Sequence, residues 1–441
     1  MESNKKAKTP QKQLKTLGRL KKALITVEVI FGILLVMFAA ILFIPGVKTQ
    51  LIKVAASTSI GKTIIGWFGS EAYDKGVFDS NFDNNKLKKN NLNYNYSEEY
   101  TNFVMFGVDS RVGEVDASNS DSILIVSIHN TTGEVKMVSV YRDTLLGIYD
   151  NEGNLSNYFK VNSAFANGGA EAAINTLNMN MDLDLTDYVT VNFSGVAEII
   201  DTLGGIKVNL TDAELAQLNQ HLKSTISSTG EYSPPVKKSG KNIKLNGIQA
   251  TTYCRIRKAT FYDPETDEAI SDDFGRAARQ RLVIMKLVER AKKASITELQ
   301  GMVEAVLNDN SDDNRIISTS FTFDEIINLI PVIFDFELSG SEGFPSELTT
   351  ATIDNTSYVI AKGLDVNVTA LHEYLYGEKN YQPTENVLSV NNYIIGYTGV
   401  SSYSEGGYSP TESGTTDEGE TATEEATVDY DYDDKGKSDF Y

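Results

Sequence analysis

Cysteine is almost missing. Cys254 stands alone in 441 residues, which excludes an internal disulfide and leaves the fold to be held by its core. Histidine is nearly as scarce: His129, His221 and His372 are widely scattered, so no zinc-ligand spacing exists. No Gly-x-Ser-x-Gly elbow is present either. Cys254 falls in a helix candidate without an activating histidine nearby, which reads as packing rather than as a nucleophile. Positive charge is the third shortage, with 40 basic residues against 60 acidic ones and a formal charge of −20. That balance argues against nucleic acid as a general partner.

The positive charge that exists is unevenly placed. Residues 1–22 hold Lys5, Lys6, Lys8, Lys12, Lys15, Arg19, Lys21 and Lys22 against the single acid Glu2, and an apolar run from Ala23 to Ile44 follows, broken only by Thr26 and Glu28. A helix there would measure about 33 Å, one bilayer core. The run is longer than the roughly 7–15 apolar residues of a cleaved signal peptide. The expectation is therefore a transmembrane helix over 23–44, with a cytoplasmic basic segment before it and everything after Pro45 outside the cell membrane. An exported, cysteine-poor chain suits a Gram-positive type of envelope. Residues 45–97 read as a membrane-proximal stalk and a linker rich in Asn, Asp, Lys and Tyr. Residues 381–441 read as an extension that becomes an acidic, aliphatic-poor, disordered tail from about 401.

The intervening stretch, 98–380, has the patterning of one folded domain. Asn102–Val108, Ser122–His129 and Val135–Val140 alternate as strands, and Asn130-Thr131-Thr132-Gly133 supplies a hairpin turn. A helix is expected over 168–177, a strand over 188–193, a helix over 194–203 stopped by Gly204-Gly205, and a strand over 206–210. Residues 217–242 look like a long polar loop. Helices are expected over 247–254, from Asp272 or Asp273 to about Lys293, and over 296–307, 323–334 and 368–376. Together these imply an α/β fold in α-β-α layers around a central mixed sheet.

Arginine usage is the sharpest chemical signal. The chain has ten arginines, yet Arg255, Arg257, Arg276, Arg279 and Arg281 fall within 27 positions. A guanidinium offers a planar fork that grips phosphate oxygens bidentately. Arg276, Arg279 and Gln280 would share one helix face. Pairing with acids on a solvated face explains the same cluster equally well. Asp109, just past one strand, and Asp121, at the start of the next, would meet at neighbouring strand ends, where a hard cation finds oxygen ligands, although aspartates also favour turns. Arg142 and Asp143 directly follow a third strand, where α/β sheets commonly build their sites.

Taken in order, Asp109-Ser-Arg111, Ser120-Asp121-Ser122, Arg142-Asp143-Thr144, Lys160-Val-Asn162-Ser-Ala164, Tyr253-Cys-Arg255-Ile-Arg257 and Asp273-Phe-Gly-Arg276-Ala-Ala-Arg279-Gln280-Arg281 resemble the motifs of the LytR-CpsA-Psr family. The resemblance implies a phosphotransferase of cell-wall assembly. Such an enzyme moves a glycopolymer, a teichoic acid or capsular polysaccharide, from undecaprenyl pyrophosphate to peptidoglycan through a phosphodiester. By this resemblance Asp109 and Asp121 would hold Mg²⁺. Arg111, Arg142, Lys160, Arg255, Arg257, Arg276, Arg279 and Gln280 would bind the pyrophosphate, and the polyprenyl tail would enter an apolar tunnel. Arg142, Asp109 and Asp143 would be the catalytic group, with Asp143 acting either as base or as an orienting partner of Arg142. A hydrolase of polyprenyl pyrophosphates and a non-catalytic lipid- or glycan-binding protein are the alternatives. The chain departs from the family pattern at Asn119, where arginine is frequent, at Tyr141, where proline is frequent, and in a longer segment over 258–271 that would form an acidic flap.

Overall fold

The computed structural model describes residues 76–108, 119–264, 266–291, 316–322, 325 and 337–402. Six strands form the central sheet: β1 (Tyr100–Val108), β2 (Ser120–His129), β3 (Glu134–Val140), β6 (Asp187–Asn192), β11 (Ile317–Thr319) and β12 (Glu337–Phe344). Their order is β11-β6-β1-β2-β3-β12. β1 runs antiparallel to β2 and parallel to β6, and β12 runs parallel to β3. The sheet is thus mixed, as the sequence implies. The β2–β3 hairpin closes at Gly133, whose φ of 72° lies in the left-handed region that a side chain would resist.

Both faces of the sheet are covered, so β2 is buried almost continuously rather than alternately. On one face Val104, Phe106, Val108, Ile123, Ile125, Val138 and Val140 form a single cluster with side chains of α1 (Ser163–Met181), α6 (Leu364–Tyr376) and α7 (Glu385–Thr398). On the other, Phe103 meets Phe321 edge to face at 5.4 Å. A satellite cluster of Ala197, Leu222 and Ile248 joins α2 (Phe193–Thr202), α3 (Asp212–Thr229) and α4 (Gly247–Tyr253). The core runs on past residue 380, because Val387, Val390 and Ile394 of α7 are buried in it.

Three expectations need correction. The polar loop expected over 217–242 is helical to residue 229: α3 opens with a capping box in which the Thr211 hydroxyl accepts from the Glu214 amide while the Glu214 carboxylate accepts from the Thr211 amide. Its polar surface hides a stripe of Leu218 and Leu222. α1 runs past the expected 168–177 at both ends, but Gly168 and Gly169 have non-helical dihedrals and divide it into a short first turn and a longer helix that continues to Met181. Its buried Asn180 satisfies both Gly147 backbone groups, the amide nitrogen at 3.0 Å and the carbonyl at 2.7 Å. The described part of the linker, 76–98, is docked: Val77 and Tyr96 are buried, Phe78 bridges to Thr319, and Lys89 pairs with Asp184 at 2.8 Å. The apolar run 23–44, the helices expected over 296–307 and 323–334 and the acidic tail beyond residue 402 lie outside the described residues, apart from Glu325. Among the described residues no helix is long and apolar enough to cross a membrane.

Candidate functional site

The site forms where β2 begins, β3 ends and α5 (Asp272–Ala291) starts. After β3, Tyr141-Arg142-Asp143-Thr144 turns tightly: the Thr144 amide donates to the Tyr141 carbonyl at 2.9 Å, and the Asn162 amide to the Arg142 carbonyl at 3.2 Å. This turn leads into β4 (Leu145–Tyr149), which pairs with β5 (Leu155–Lys160) and brings Lys160 beside Asp143. Tyr141, at the position where the family pattern favours proline, packs edge to face on Phe274 of α5 at 4.6 Å. Its hydroxyl occupies the space that a Cβ on Gly343 would need, so a larger residue at that point of β12 would require the Tyr141 ring to shift.

Arg142 is the centre of the charge network. It is hydrogen-bonded to Asp121 Oδ1, and its Nε lies 3.7 Å from Asp143 and 3.6 Å from Asp273. Burial disfavours its charge, but Asp273, Asp121 and Asp143 outweigh that and hold its pKa above the ordinary arginine range. Lys160 Nζ reaches Asp143 at 3.0 Å. Asp273 accepts from Arg276 at 2.6 Å and lies 3.3 Å from Arg257. Arg276 is pulled down to about 10 by burial, with Arg142 and Arg257 adding to the shift and Asp273 opposing it. The guanidinium stays charged at neutral pH. Among the described residues four cations, Arg142, Lys160, Arg257 and Arg276, therefore surround three carboxylates, an excess of one positive charge, and of these Asp121, Arg142, Asp273 and Arg276 line a small cleft with Ser122, Ala277 and Gln280. Such a cleft suits an anion whose oxygens displace carboxylates from the guanidinium forks.

The remaining candidates are placed differently. Arg279 is correctly located on α5, but its side chain is wholly buried. Nε donates to Glu214 at 2.9 Å, and the terminal nitrogens donate to the carbonyls of Ile256 at 3.2 Å and Ala259 at 2.6 Å. It clamps the segment bearing Arg255 and Arg257 onto the helix and does not face the cleft. Arg255 turns toward α3, donating to Thr225 Oγ1 at 3.1 Å and lying over the Phe193 ring. Gln280 lines the cleft and donates weakly to the Cys254 carbonyl at 3.5 Å. Cys254 is buried, and burial pushes its thiol up to about 12, which fits packing. The segment over 258–271 holds a short hairpin of β9 (Phe261–Tyr262) and β10 (Ala269–Ile270). Asp109 and Arg111 lie outside the described residues. Asp273, which the sequence offers as a helix cap, lines the cleft, and its i, i+3 spacing to Arg276 is the local signal for that pairing.

The donor set can be weighed against Mg²⁺. Among the described residues no three metal-ligating side chains converge. Mg²⁺ commonly takes only one or two carboxylates and completes its shell with water and substrate phosphate. Asp121 offers one such carboxylate, with only Oδ1 engaged by Arg142. Val108, the residue before Asp109, pairs with Ser120, the neighbour of Asp121. A metal shared with a phosphate ligand would draw on Asp121 as a carboxylate ligand.

A solved protein of Streptococcus agalactiae is 26% identical, with a TM-score of 0.50 over 66% of this chain and 92% of that one. The polyisoprenyl-teichoic acid–peptidoglycan teichoic acid transferase TagU of Bacillus subtilis is 29% identical over 289 residues, 63% of this chain and 80% of that protein. Its namesake from Enterococcus faecalis is 28% identical over 300 residues, 68% of this chain and 80% of that protein. Residues 68–365 match the LytR_cpsA_psr family as a whole, and the chain belongs to that family.

Proposed function

We propose that this protein is a transferase that moves a glycopolymer from undecaprenyl pyrophosphate onto peptidoglycan through a phosphodiester. The observation that carries the reading is one charge network in a chain of net charge −20: Arg142 and Arg276 line the cleft, and Lys160 and Arg257 are tied to the carboxylates that Arg142 also meets. The names of the related transferases support the polymer and the acceptor. Arg142 and Arg276 grip the pyrophosphate, Arg257 and Lys160 flank it, and Arg279 with Glu214 holds their scaffold. Arg111, which lies outside the described residues, would join the grip as the family resemblance implies. Asp121 and Asp109 would hold Mg²⁺, which when bound offsets charge on the pyrophosphate. An acceptor hydroxyl forms the new P–O bond to the phosphorus nearer the glycan, the P–O bond to polyprenyl phosphate breaks, and the hydroxyl proton passes to Asp143 or Asp109. The guanidiniums stabilise negative charge on the phosphoryl oxygens and on the leaving phosphate.

In this reading the helix over 23–44 anchors the chain in the cell membrane with the folded domain outside, and the polyprenyl tail lies between sheet and helices. The test is incubation of the full chain in detergent with a lipid-pyrophosphate-linked saccharide, Mg²⁺ and peptidoglycan oligomers, followed by mass spectrometry. A phosphodiester-linked glycan on the acceptor, lost in Arg142→Ala, is the expected result. Free phosphorylated saccharide with an unmodified acceptor would replace the transferase by a hydrolase. Tight lipid binding without turnover would leave a binding protein.

A further inference from the structure

A second cavity lies on the other side of α5. Its volume is 960 Å³, at the upper end of the roughly 300–1,000 Å³ of ligand pockets. It is separate from the charged cleft, because Arg276 and Gln280 of α5 line the cleft whereas Leu282, Lys286 and Glu289 line the cavity. The facing walls are the hairpin of β7 (Ile206–Leu210) and β8 (Gly240–Leu245) and the loop after β9. Lys207 and Lys244 stand directly opposite each other on that hairpin, on the face away from buried Ile206 and Val208. Like charges opposed across a strand pair destabilise it, and a concave wall in front of them reduces the screening by water. Lys241 of the same hairpin also lines the cavity. Among the described residues none of these three lysines forms an ion pair, in a chain with 60 acidic residues. Two carboxylates of the cavity are engaged by other cations, Glu214 by Arg279 and Glu289 by Lys286, each at 2.9 Å. Tyr262 adds an aromatic surface at the cavity and is 53% exposed. The cleft and the cavity are joined by one short segment: Arg257, 3.3 Å from Asp273, precedes Tyr262 by five residues, a span of at most about 18 Å, and Lys258 beside it is exposed.

We propose that this cavity is a subsite for the phosphodiester-linked chain of the donor glycopolymer, beyond its pyrophosphate end; this rests on the transferase reading above and narrows the polymer to a polyanionic one. Lys207 and Lys244, whose Cβ atoms are about 5 Å apart, close on one phosphodiester from both sides. The bound anion relieves the repulsion that the pair carries alone. Tyr262 covers the apolar C–H face of a sugar or polyol, and Asn209 and Asn242 of the hairpin wall meet its hydroxyls. Arg257 and Lys258 line the way from the cleft. A chain can enter between a hairpin, a loop and a helix, whereas the flat face of a membrane cannot, so the concave shape favours a polymer over lipid headgroups.

The test titrates the full chain in a non-ionic detergent with poly(glycerol phosphate) oligomers, by calorimetry at several salt concentrations. Binding should weaken as salt rises. The double variant Lys207→Gln/Lys244→Gln should weaken it about tenfold at low salt, Lys207→Glu at least as much, and Lys207→Arg should retain it. Because Lys207→Glu turns a cross-strand repulsion into an attraction, its melting temperature should not fall, which separates lost binding from lost folding. In the transfer assay the double variant should raise the KM of a lipid donor carrying a poly(glycerol phosphate) chain more than that of a donor carrying a single saccharide. Oligomer binding unaltered in Lys207→Glu, inorganic phosphate binding as tightly as the oligomer, or lysine-dependent binding to anionic lipid vesicles without binding to the oligomer would overturn the proposal. Transfer that proceeds with both donor KM values unaltered in the double variant would also overturn it and keep the transferase. Lysine-dependent oligomer binding in a chain with no transfer activity would instead overturn the transferase reading and keep the polyanion subsite.

Discussion

Arg279 and Glu214 form an ion pair at 2.9 Å in which neither side chain reaches water appreciably, and they come from helices 65 positions apart in sequence. Glu214 caps α3 and accepts weakly from the Tyr253 hydroxyl at 3.3 Å, while Arg279 holds the carbonyls of Ile256 and Ala259. The pair therefore fastens three elements at once. Arg279→Met should leave Glu214 as an unpaired buried carboxylate and cost about 3–5 kcal/mol. Denaturant unfolding of the full chain checks this. Glu214→Gln combined with Arg279→Met should recover part of the loss, because the orphaned charge is then gone.

Arg142 separates charge from geometry. Arg142→Lys keeps a cation beside Asp121, Asp143 and Asp273 but removes the fork that meets Asp121. Arg142→Ala removes both. Transfer should fall by about two orders of magnitude in the lysine variant and further in the alanine variant, the scale expected when a preorganised transition-state donor is lost. Thermal unfolding should change little in the lysine variant. Activity near the unaltered level in either would displace Arg142 from the centre of the site.

How much of this could be read from the chain depends on the range of the contacts involved. The first three strands were legible because alternation and the Asn-Thr-Thr-Gly turn are local, and Arg142 was legible because it stands at a strand end. α3 was hidden by its polar surface, although Thr211-Asp-Ala-Glu214 spells a capping box. Arg279 and Arg276 look equivalent in sequence and both are buried, but a partner 65 positions away turns Arg279 into the core while Arg276 lines the cleft. Asp273 looked like a cap because its three arginine partners come from two other segments and from its own helix. The buried aromatics Tyr96 and Phe78 sit in a stretch whose composition reads as linker, and only their distant partners order it.

Asp187, at the start of β6, predicts a pH effect on stability. Burial raises its pKa above the usual carboxylate value, with the Thr186 and Ser320 hydroxyls opposing the shift and Glu325 adding to it. Because the folded value exceeds the unfolded one, the unfolded chain releases this proton first. Its contribution to stability is greatest below the unfolded pKa of about 4 and is lost as pH rises through the folded value. Asp187→Asn should therefore raise the melting temperature at pH 7 more than at pH 4. An equal change at both pH values would show that the carboxyl does not titrate differently on folding.

Asp273 is expected to oppose affinity and support turnover. It accepts from Arg276, approaches Arg142 and Arg257, and so holds three guanidiniums in place while cancelling part of their charge. Asp273→Asn removes one negative charge from a cleft that already has an excess cation, so inorganic pyrophosphate should bind more tightly, by several-fold at low salt and less as salt screens the cleft. The same change frees Arg276 to leave its position, and misplacing a transition-state donor costs rate even when the ground-state anion is held well. Transfer should therefore fall while pyrophosphate affinity rises. Calorimetric titration with pyrophosphate beside the transfer assay separates the two effects: a joint fall would mean that Asp273 helps hold the ligand itself, through a metal or a proton, rather than competing with it for the arginines.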